Sequence, residues 1–456
     1  MDNNDIIIAP ISATQGGSIN LIRLSGKGVI SKVNSFFSRD ILSSKGGRFY
    51  YGQLKNNDDI IDDVIVYIFK APHSYTGEDV VEISCHGNFF ITEEIINLFL
   101  DHDCRLADPG EFSKRAFLNS KMDLVQAEAV ADIISANSKR AVKNSINQLH
   151  GYLSGEINRL KRQLVDLASL VELEIDFSEE DIEIIPYDKI IDALKDILIQ
   201  TEALLVSYET SKSITDKIQV LLLGKPNVGK SSIMNGFINK DRVIVSSTPG
   251  TTRDHIHEDI ILNDTFIRLI DSAGIREQAR EIEKEGVQKS RVLAKESDII
   301  LFILDGSQKL DQEDRRIIEM VEALGNKLIL VLNKNDITRN KETYEEINIK
   351  FPGIPVVDIS AKTKNNMDAL RKELIKKISL STDQDINIIT NARHYHLLKD
   401  FKEQVTITIK SAEQRMGPEY LAIDLRSAID ILGTLTGAVT SDEILNNIFS
   451  NFCIGK

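Results

Sequence analysis

Residues Gly224-Lys225-Pro226-Asn227-Val228-Gly229-Lys230-Ser231 decide the fold, because they follow the apolar run KIQVLLL (217–223) and lead into SSIMNGFIN (231–239). A buried strand, a G-x-x-x-x-G-K-S loop and a helix stand in the order that a phosphate-binding loop requires. The glycines let backbone amides turn toward phosphate oxygens, and the helix start adds partial positive charge. Lys230 is expected to reach the outer phosphates and Ser231 to offer its hydroxyl to Mg2+. Asn227, Val228, Gly229, Lys230, Ser231 and Ser232 form the expected nucleotide-contact set.

Further along, Asn333-Lys334-Asn335-Asp336 ends the strand KLILVLN (327–333). A carboxylate at Asp336 can accept from the guanine ring N-H and its amino group together. Adenine lacks that donor pair and would leave the charge unpaired, so GTP rather than ATP is the expected substrate. Ser360-Ala361-Lys362, after IPVVDIS (354–360), resembles the GTPase loop whose backbone meets the guanine oxygen. Asp271-Ser272-Ala273-Gly274 resembles the switch whose Asp orients Mg2+ and whose Gly amide meets the γ-phosphate. Gly250-Thr251-Thr252-Arg253-Asp254 stands where the first switch belongs. Thr252 is the choice for the second Mg2+ hydroxyl, with Thr251 the alternative. The apolar runs KIQVLLL, DIILFIL, KLILVLN and IPVVDIS, separated by loops and helices, predict a doubly wound α/β domain over residues 216–380.

Hydrolysis needs a group to orient water, yet Ile275 occupies the position where Ras-like proteins carry glutamine. The following polar segment offers Glu277, Glu281, Glu283 and Glu285, among which spacing does not choose. No arginine finger is evident, so another cation must meet the developing charge. In a related group of GTPases the Asn at the position of Asn227 coordinates K+; the structural alternative for Asn227 is a turn-stabilising side chain.

Outward from this module, residues 1–120 alternate β-branched runs such as DVIVYIF (63–69) and DVVEIS (79–84) with breakers, and ITEEIINLFLD interrupts them as a helix. An α+β domain is expected there. Residues 121–215 and 381–456 place apolar residues at three- and four-residue spacings, which predicts helices. The flanking helices are expected to pack as one all-α domain into which the GTPase domain is inserted. The net charge of -14 opposes a broad phosphate-binding surface, and part of it lies in the acidic stretch Glu172 to Glu183, read as a solvated helix end and loop. Cys85, Cys104 and Cys453 fit neither a disulfide framework nor a zinc site. With no apolar span of membrane length and no basic leader, a cytoplasmic protein is expected.

Beyond the GTPase motifs, the chain carries Arg23-Leu24-Ser25-Gly26, Tyr75-Thr76-Gly77-Glu78-Asp79 with His86-Gly87, Pro109 to Asn119 (PGEFSKRAFLN), and terminal Phe452-Cys453-Ile454-Gly455-Lys456. Over essentially its whole length it resembles the MnmE (TrmE) family of tRNA-modification GTPases. That resemblance implies an amino-terminal domain that binds folate and forms a homodimer. It also implies a heterotetramer with an FAD-containing partner, MnmG (GidA), that acts on tRNA. The reaction implied installs an aminomethyl or carboxymethylaminomethyl group at C5 of the wobble uridine, with methylene- or formyl-tetrahydrofolate supplying the carbon. By motif position Arg23, Glu82, Lys121 and Lys456 match the folate residues; surface charges or salt bridges are their plain structural readings. Glu283 matches the catalytic glutamate. The K+ site would combine Asn227 with backbone oxygens near Ser246, Thr248 and Thr251, and hydrolysis would follow the meeting of two G domains.

The chain departs from the family pattern at Ser272, where Thr is common, and over Ser12 to Gly17, where a more basic, glycine-rich turn is usual. The end CIGK lacks the aliphatic residue of a prenylation box, so no lipid anchor is expected, and Cys453 reads as a buried structural thiol. The competing reading is an RNA-binding regulatory GTPase of ribosome assembly. It predicts a KH-like module, a second G domain or a basic tail, none of which the sequence displays.

Overall fold

The computed structural model describes residues 5–12, 17–176, 186–215, 218–241, 257–263, 265–271, 291–380, 389–450, 452, 453 and 455. The chain divides into two compact units, Met1–Ser135 with Asn144–Leu205 and Asn391–Lys456, and Ala136–Lys143 with Val206–Thr390.

The first unit begins with β1 (Ile6–Pro10), β2 (Ile19–Ser25), α1 (Val29–Asn34), β3 (Arg48–Asn56), β4 (Asp59–Phe69), β5 (Val80–His86), α2 (Phe89–Leu100), β6 (Cys104–Leu106) and α3 (Glu111–Leu118). Among the described residues its sheet has the order β3-β4-β5-β2-β1-β6, antiparallel except where β6 joins β1. Val64, Val66 and Ile68 on β4 alternate inward with the two-residue period of a strand and meet Val81, Ile83 and the α2 residues Ile95, Leu98 and Phe99. Asn88 starts α2 by accepting from the Phe90 amide.

Helices α4 (Leu124–Ser135), α5 (Lys139–Leu149), α6 (Tyr152–Asp176) and α7 (Tyr187–Thr215) follow. On α6, Leu153, Ile157, Leu160, Leu164, Leu167 and Val171 are buried at alternating four- and three-residue steps, which puts them on one stripe.

The second unit carries β7 (Ile218–Leu223), α8 (Lys230–Asp241), β8 (His257–Leu262), β9 (Thr265–Asp271), β10 (Ile299–Asp305), α9 (Gln312–Val321), β11 (Leu328–Asn333), α10 (Lys341–Lys350), β12 (Val356–Asp358) and α11 (Met367–Leu380). The described sheet runs β12-β11-β10-β7-β9-β8 and is parallel except for the β8–β9 hairpin. Val220 and Leu222 join Ile233, Phe237, Leu370 and Leu374 in one core, whereas Leu221 and Leu223 join Ile317, Ile318, Val321 and Ile347 in another. Helices therefore cover both faces, and every strand of the parallel center is an apolar run. This is the doubly wound P-loop fold. Sequence periodicity omits β8, whose half-exposed HEDIIL pairs beside TFIRLID across a turn with Asn263 at φ 48°.

The chain finishes with α12 (Ala392–Glu413), α13 (Pro418–Thr436) and α14 (Asp442–Ser450) in the first unit. Leu421, Leu425, Leu432 and Leu435 give α13 a stripe like that of α6, and the two helices pack together, with α12 also against α13. Leu445 and Phe449 of α14 share a core with Leu124, Ala127 and Phe452. No helix among the described residues is long and apolar enough to cross a membrane.

Candidate nucleotide-binding site

The loop after β7 has the backbone its glycines predict. Gly224 sits at φ +157°, and a Cβ there would lie 2.3 Å from the Ile303 carbonyl oxygen of β10. Gly229, at φ +100°, would put a Cβ 2.2 Å from Asn333 Nδ2. Between them Asn227 takes φ 65°, a conformation asparagine tolerates. Buried Lys230 donates from Nζ to the Gly224 and Lys225 carbonyls at 2.8 Å each, so its ammonium is folded into the concavity of the loop. Ser231 Oγ donates to Asp271 Oδ2 at 3.1 Å, which joins the first turn of α8 to the end of β9. A hydroxyl and a carboxylate side by side are oxygen donors that suit a hard divalent cation such as Mg2+.

Three segments converge on Asn333. Its Nδ2 donates to the Val228 carbonyl at 2.7 Å and its Oδ1 accepts from the Ala361 amide at 2.9 Å. The phosphate loop, the end of β11 and the loop after β12 are thereby one hydrogen-bonded body. Lys334, at φ 71°, donates from Nζ to Asp305 Oδ2 at 2.7 Å. Burial pushes the Asp305 carboxyl up, but the bonds from Lys334 and Ser307 outweigh it and hold it below the usual range. Ser360 Oγ donates to Asp336 Oδ1 at 2.6 Å, and that bond, with the nearby Lys362 and Lys334 charges, keeps Asp336 ionised and acidic. Ser360 Oγ accepts in turn from the Thr363 amide. The carboxylate chosen for guanine is thus oriented by the loop expected to meet the same base. Val228 is buried in the core and Ser232 is exposed on the first turn of α8.

Sequence reading missed Asp305, Asp311 and Asp314, of which the last two hold Lys225 at 2.7 Å each. Their signals were modest: Asp305-Gly306-Ser307 closes a buried strand, and Asp311 with Asp314 opens a helix as a capping box. Ser246, Thr248, Thr251, Thr252, Gly274, Ile275 and Glu283, with Glu277, Glu281 and Glu285, lie outside the described residues.

Comparison with known proteins bears on the whole chain. Residues 6–121 match the family model of the GTP-binding protein TrmE N-terminus, and residues 124–453 match the MnmE helical domain. A tRNA modification GTPase MnmE of Aquifex aeolicus (strain VF5) is 40% identical over 98% of this chain and 99% of its own length. Those of Chlorobaculum tepidum and Flavobacterium johnsoniae are 36% and 37% identical, covering 98% and 100% of this chain and 97% and 100% of theirs. The chain belongs to the MnmE family of tRNA modification GTPases. Among solved structures, the FeoB G-domain from Methanococcus jannaschii overlaps with TM-score 0.27 and 21% identity over 36% of this chain and 99% of that one, too low a score to carry weight.

Of the residues expected from the sequence to meet folate, Arg23, Glu82 and Lys121 lie in the first unit. Arg23 on β2 and Glu82 on β5 are cross-strand partners, and Arg23 Nε donates to Glu82 Oε1 at 2.8 Å. The guanidinium lies 4.6 Å from the centroid of the Tyr75 ring and 5.5 Å from that of Phe112. Partly exposed, this acid, base and aromatic set suits a planar pterin, which presents both donors and acceptors. Lys121 Nζ donates to the Pro72 carbonyl at 2.9 Å and its stem runs past Gly77, so the loop bearing Tyr75 links it to the pair. Lys456 lies outside the described residues. Its neighbour Gly455 is tucked against β1: a Cβ would lie 2.3 Å from the Pro10 carbonyl oxygen.

The expectation of a buried Cys453 is corrected. Its backbone carbonyl accepts from the Gly110 amide while Phe449 and Phe452 fill the core beneath, which leaves the thiol exposed. The other two thiols are buried, and burial pushes Cys104 up to about 11. No cluster of His, Cys, Asp or Glu among the described residues is arranged to hold a metal by itself.

Proposed function

We propose that this chain hydrolyses GTP in the cytosol and, as a homodimer joined to an FAD-containing MnmG (GidA) partner in a heterotetramer, modifies C5 of the tRNA wobble uridine. The group installed is an aminomethyl or carboxymethylaminomethyl group, and methylene- or formyl-tetrahydrofolate supplies its carbon. One observation carries the nucleotide half: Ser360 orients the ionised Asp336 while Asn333 ties that loop to the phosphate loop. A carboxylate so held selects a base with paired N-H donors.

In this reading residues 216–380 are the G domain, inserted between helical segments 121–215 and 381–456 and preceded by the folate domain 1–120. Asn227, Val228, Gly229, Lys230, Ser231 and Ser232 cradle the phosphates, with Asp271 and Gly274 on the switch side. Asn333, Lys334, Asp336, Ser360 and Ala361 receive the guanine. Ser231 and Thr252 would hold Mg2+, and Asn227 with backbone oxygens near Ser246, Thr248 and Thr251 would hold K+. Bound cations neutralise phosphate charge as it develops. Glu283 orients water, a role that Ile275 cannot fill. Arg23, Glu82, Lys121 and Lys456 hold the folate, which when bound supplies a one-carbon unit. Arg23 and Lys121 meet its anionic and acceptor groups, and Glu82 accepts from its N-H donors.

Nucleoside analysis of bulk tRNA tests the reading in cells lacking the native gene and complemented with this chain. Wild type should restore the modified wobble uridine, and Arg23→Ala or Glu82→Ala should not. Full modification by both variants would sink the folate assignment, and a ribosome-assembly defect with normal tRNA would favour the competing GTPase class.

A further inference from the structure

Lys225 occupies a variable position of the phosphate-loop pattern, where the motif itself asks for no charge. Nevertheless its Nζ donates at 2.7 Å to both Asp311 Oδ2 and Asp314 Oδ2 at the start of α9. The lysine side chain is 13% exposed and that of Asp314 only 2%, so this is not an open surface pair of negligible worth. The capping box of α9 already satisfies the helix start, with Asp311 accepting from the Glu313 and Asp314 amides and Asp314 accepting from the Asp311 amide. That cap needs no cation. Asp314 Oδ1 has no hydrogen-bond partner among the described residues although it is buried, which makes the lysine the compensation for a costly carboxylate. The charges respond accordingly: the Lys225 bond holds Asp311 down to about 2, whereas burial pushes Asp314 up.

The backbone beside this pair is the part that meets phosphate. The Lys225 carbonyl accepts from Lys230 Nζ, and three residues on, the Val228 carbonyl accepts from Asn333 Nδ2. The arc from Lys225 to Val228 is thus tied at both ends to different elements, with Asn227 at φ 65° between them. Asn333 belongs to the guanine motif and fixes one end. We propose that Lys225 is a positioning residue for nucleotide binding, and that its clasp on Asp311 and Asp314 fixes the other end of the arc so that the loop amides face the phosphates before the ligand arrives. Pre-organisation of this kind lowers the ordering cost of binding. The inference rests on the GTP-binding reading above and adds a residue to it.

The test measures binding of fluorescent GDP and a non-hydrolysable GTP analogue to the full chain, with steady-state GTP hydrolysis alongside. Lys225→Met should weaken both nucleotides by about tenfold, chiefly through faster release. KM should rise more than kcat falls, and Lys225→Arg should restore most of the affinity. Asp311→Asn keeps a good N-cap while removing one charge, so it folds as wild type does and should weaken binding severalfold. Wild-type affinity in Lys225→Met or Asp311→Asn would overturn the proposal, as would failure of Lys225→Arg to rescue a weakened Lys225→Met. If the wild-type chain itself ignores guanine nucleotides, the GTP-binding reading fails first; if it binds them and the variants match it, only the role of Lys225 falls.

Discussion

Glu128 offers a stability test that can be worked through from geometry. It lies buried on α4 and accepts from Arg393 twice, Nε to Oε1 at 2.8 Å and Nη2 to Oε2 at 2.7 Å, while His394 Nε2 lies 2.7 Å from Oε2. Arg393 also donates to the Thr434 and Leu435 carbonyls of α13, so the carboxylate holds α4, α12 and α13 together. Burial pushes its pKa up, but the His394 and Arg393 interactions outweigh burial and bring it from an ordinary 4.5 down to about 2. At about 1.4 kcal/mol per pH unit, that difference corresponds to about 3 kcal/mol of folding stability. The sign follows from a lowered acid pKa: the contribution is complete above about pH 4.5 and is lost as pH falls toward 2. Glu128→Gln should therefore destabilise the first unit, by about 3 kcal/mol near pH 5.

Asp132, one helical turn on, behaves oppositely. Burial, reinforced by the Glu128 charge and opposed by His394, pushes its pKa from 3.8 up to about 6. Its penalty is absent below about pH 3.8 and complete above about pH 6, so Asp132→Asn should stabilise the unit near neutral pH. Partial exposure reduces the gain to about 1–2 kcal/mol, and it should shrink as pH falls from 6 to 4. Thermal unfolding by circular dichroism and calorimetry across this range measures both. Wild-type melting of Glu128→Gln at neutral pH, or a loss of stability in Asp132→Asn there, would refute the reasoning.

Other perturbations address the nucleotide site. Asp336→Asn exchanges an acceptor for a donor, so guanine binding should fall by about a hundredfold or more while xanthosine triphosphate, with a carbonyl in place of the amino group, binds better; competition binding with the two nucleotides checks this. Gly229→Ala forces a side chain onto Asn333 Nδ2 in left-handed backbone and should abolish detectable nucleotide binding, as read by calorimetric titration, while the first unit melts as before. Arg23→Lys keeps a charge but loses the planar group that lies over Tyr75, so folate affinity measured by fluorescence quenching should fall about tenfold with GTP hydrolysis intact.

The nucleotide motifs were legible because phosphate and guanine impose backbone shapes and acceptors that few residues provide. Gly224 and Gly229 stand where any Cβ would collide, and Asp336 stands where Ser360 of the loop after β12 donates to its carboxylate. Parallel strands buried on both faces announced themselves as apolar runs. What escaped was information carried by pairs distant in sequence: Lys225 meets Asp311 and Asp314 across 86 and 89 positions, and nothing local in either segment names the other. The Arg23–Glu82 contact spans 59 positions and follows from strand register alone. Strand β8 escaped because half of it faces outward and its acidic start resembles a loop. Cys453 was misjudged because the apolar residues around it do the burying, leaving the thiol outside.

The most direct measurement is hydrolysis of GTP and of ATP by the purified full chain, in KCl and in NaCl at equal ionic strength, with Glu283→Ala beside the wild type. The account predicts turnover of GTP but not ATP, faster in potassium, and lost on the Glu283 change. Comparable turnover of both nucleotides would contradict the guanine site, and equal GTP rates in the two salts would contradict the potassium-assisted mechanism.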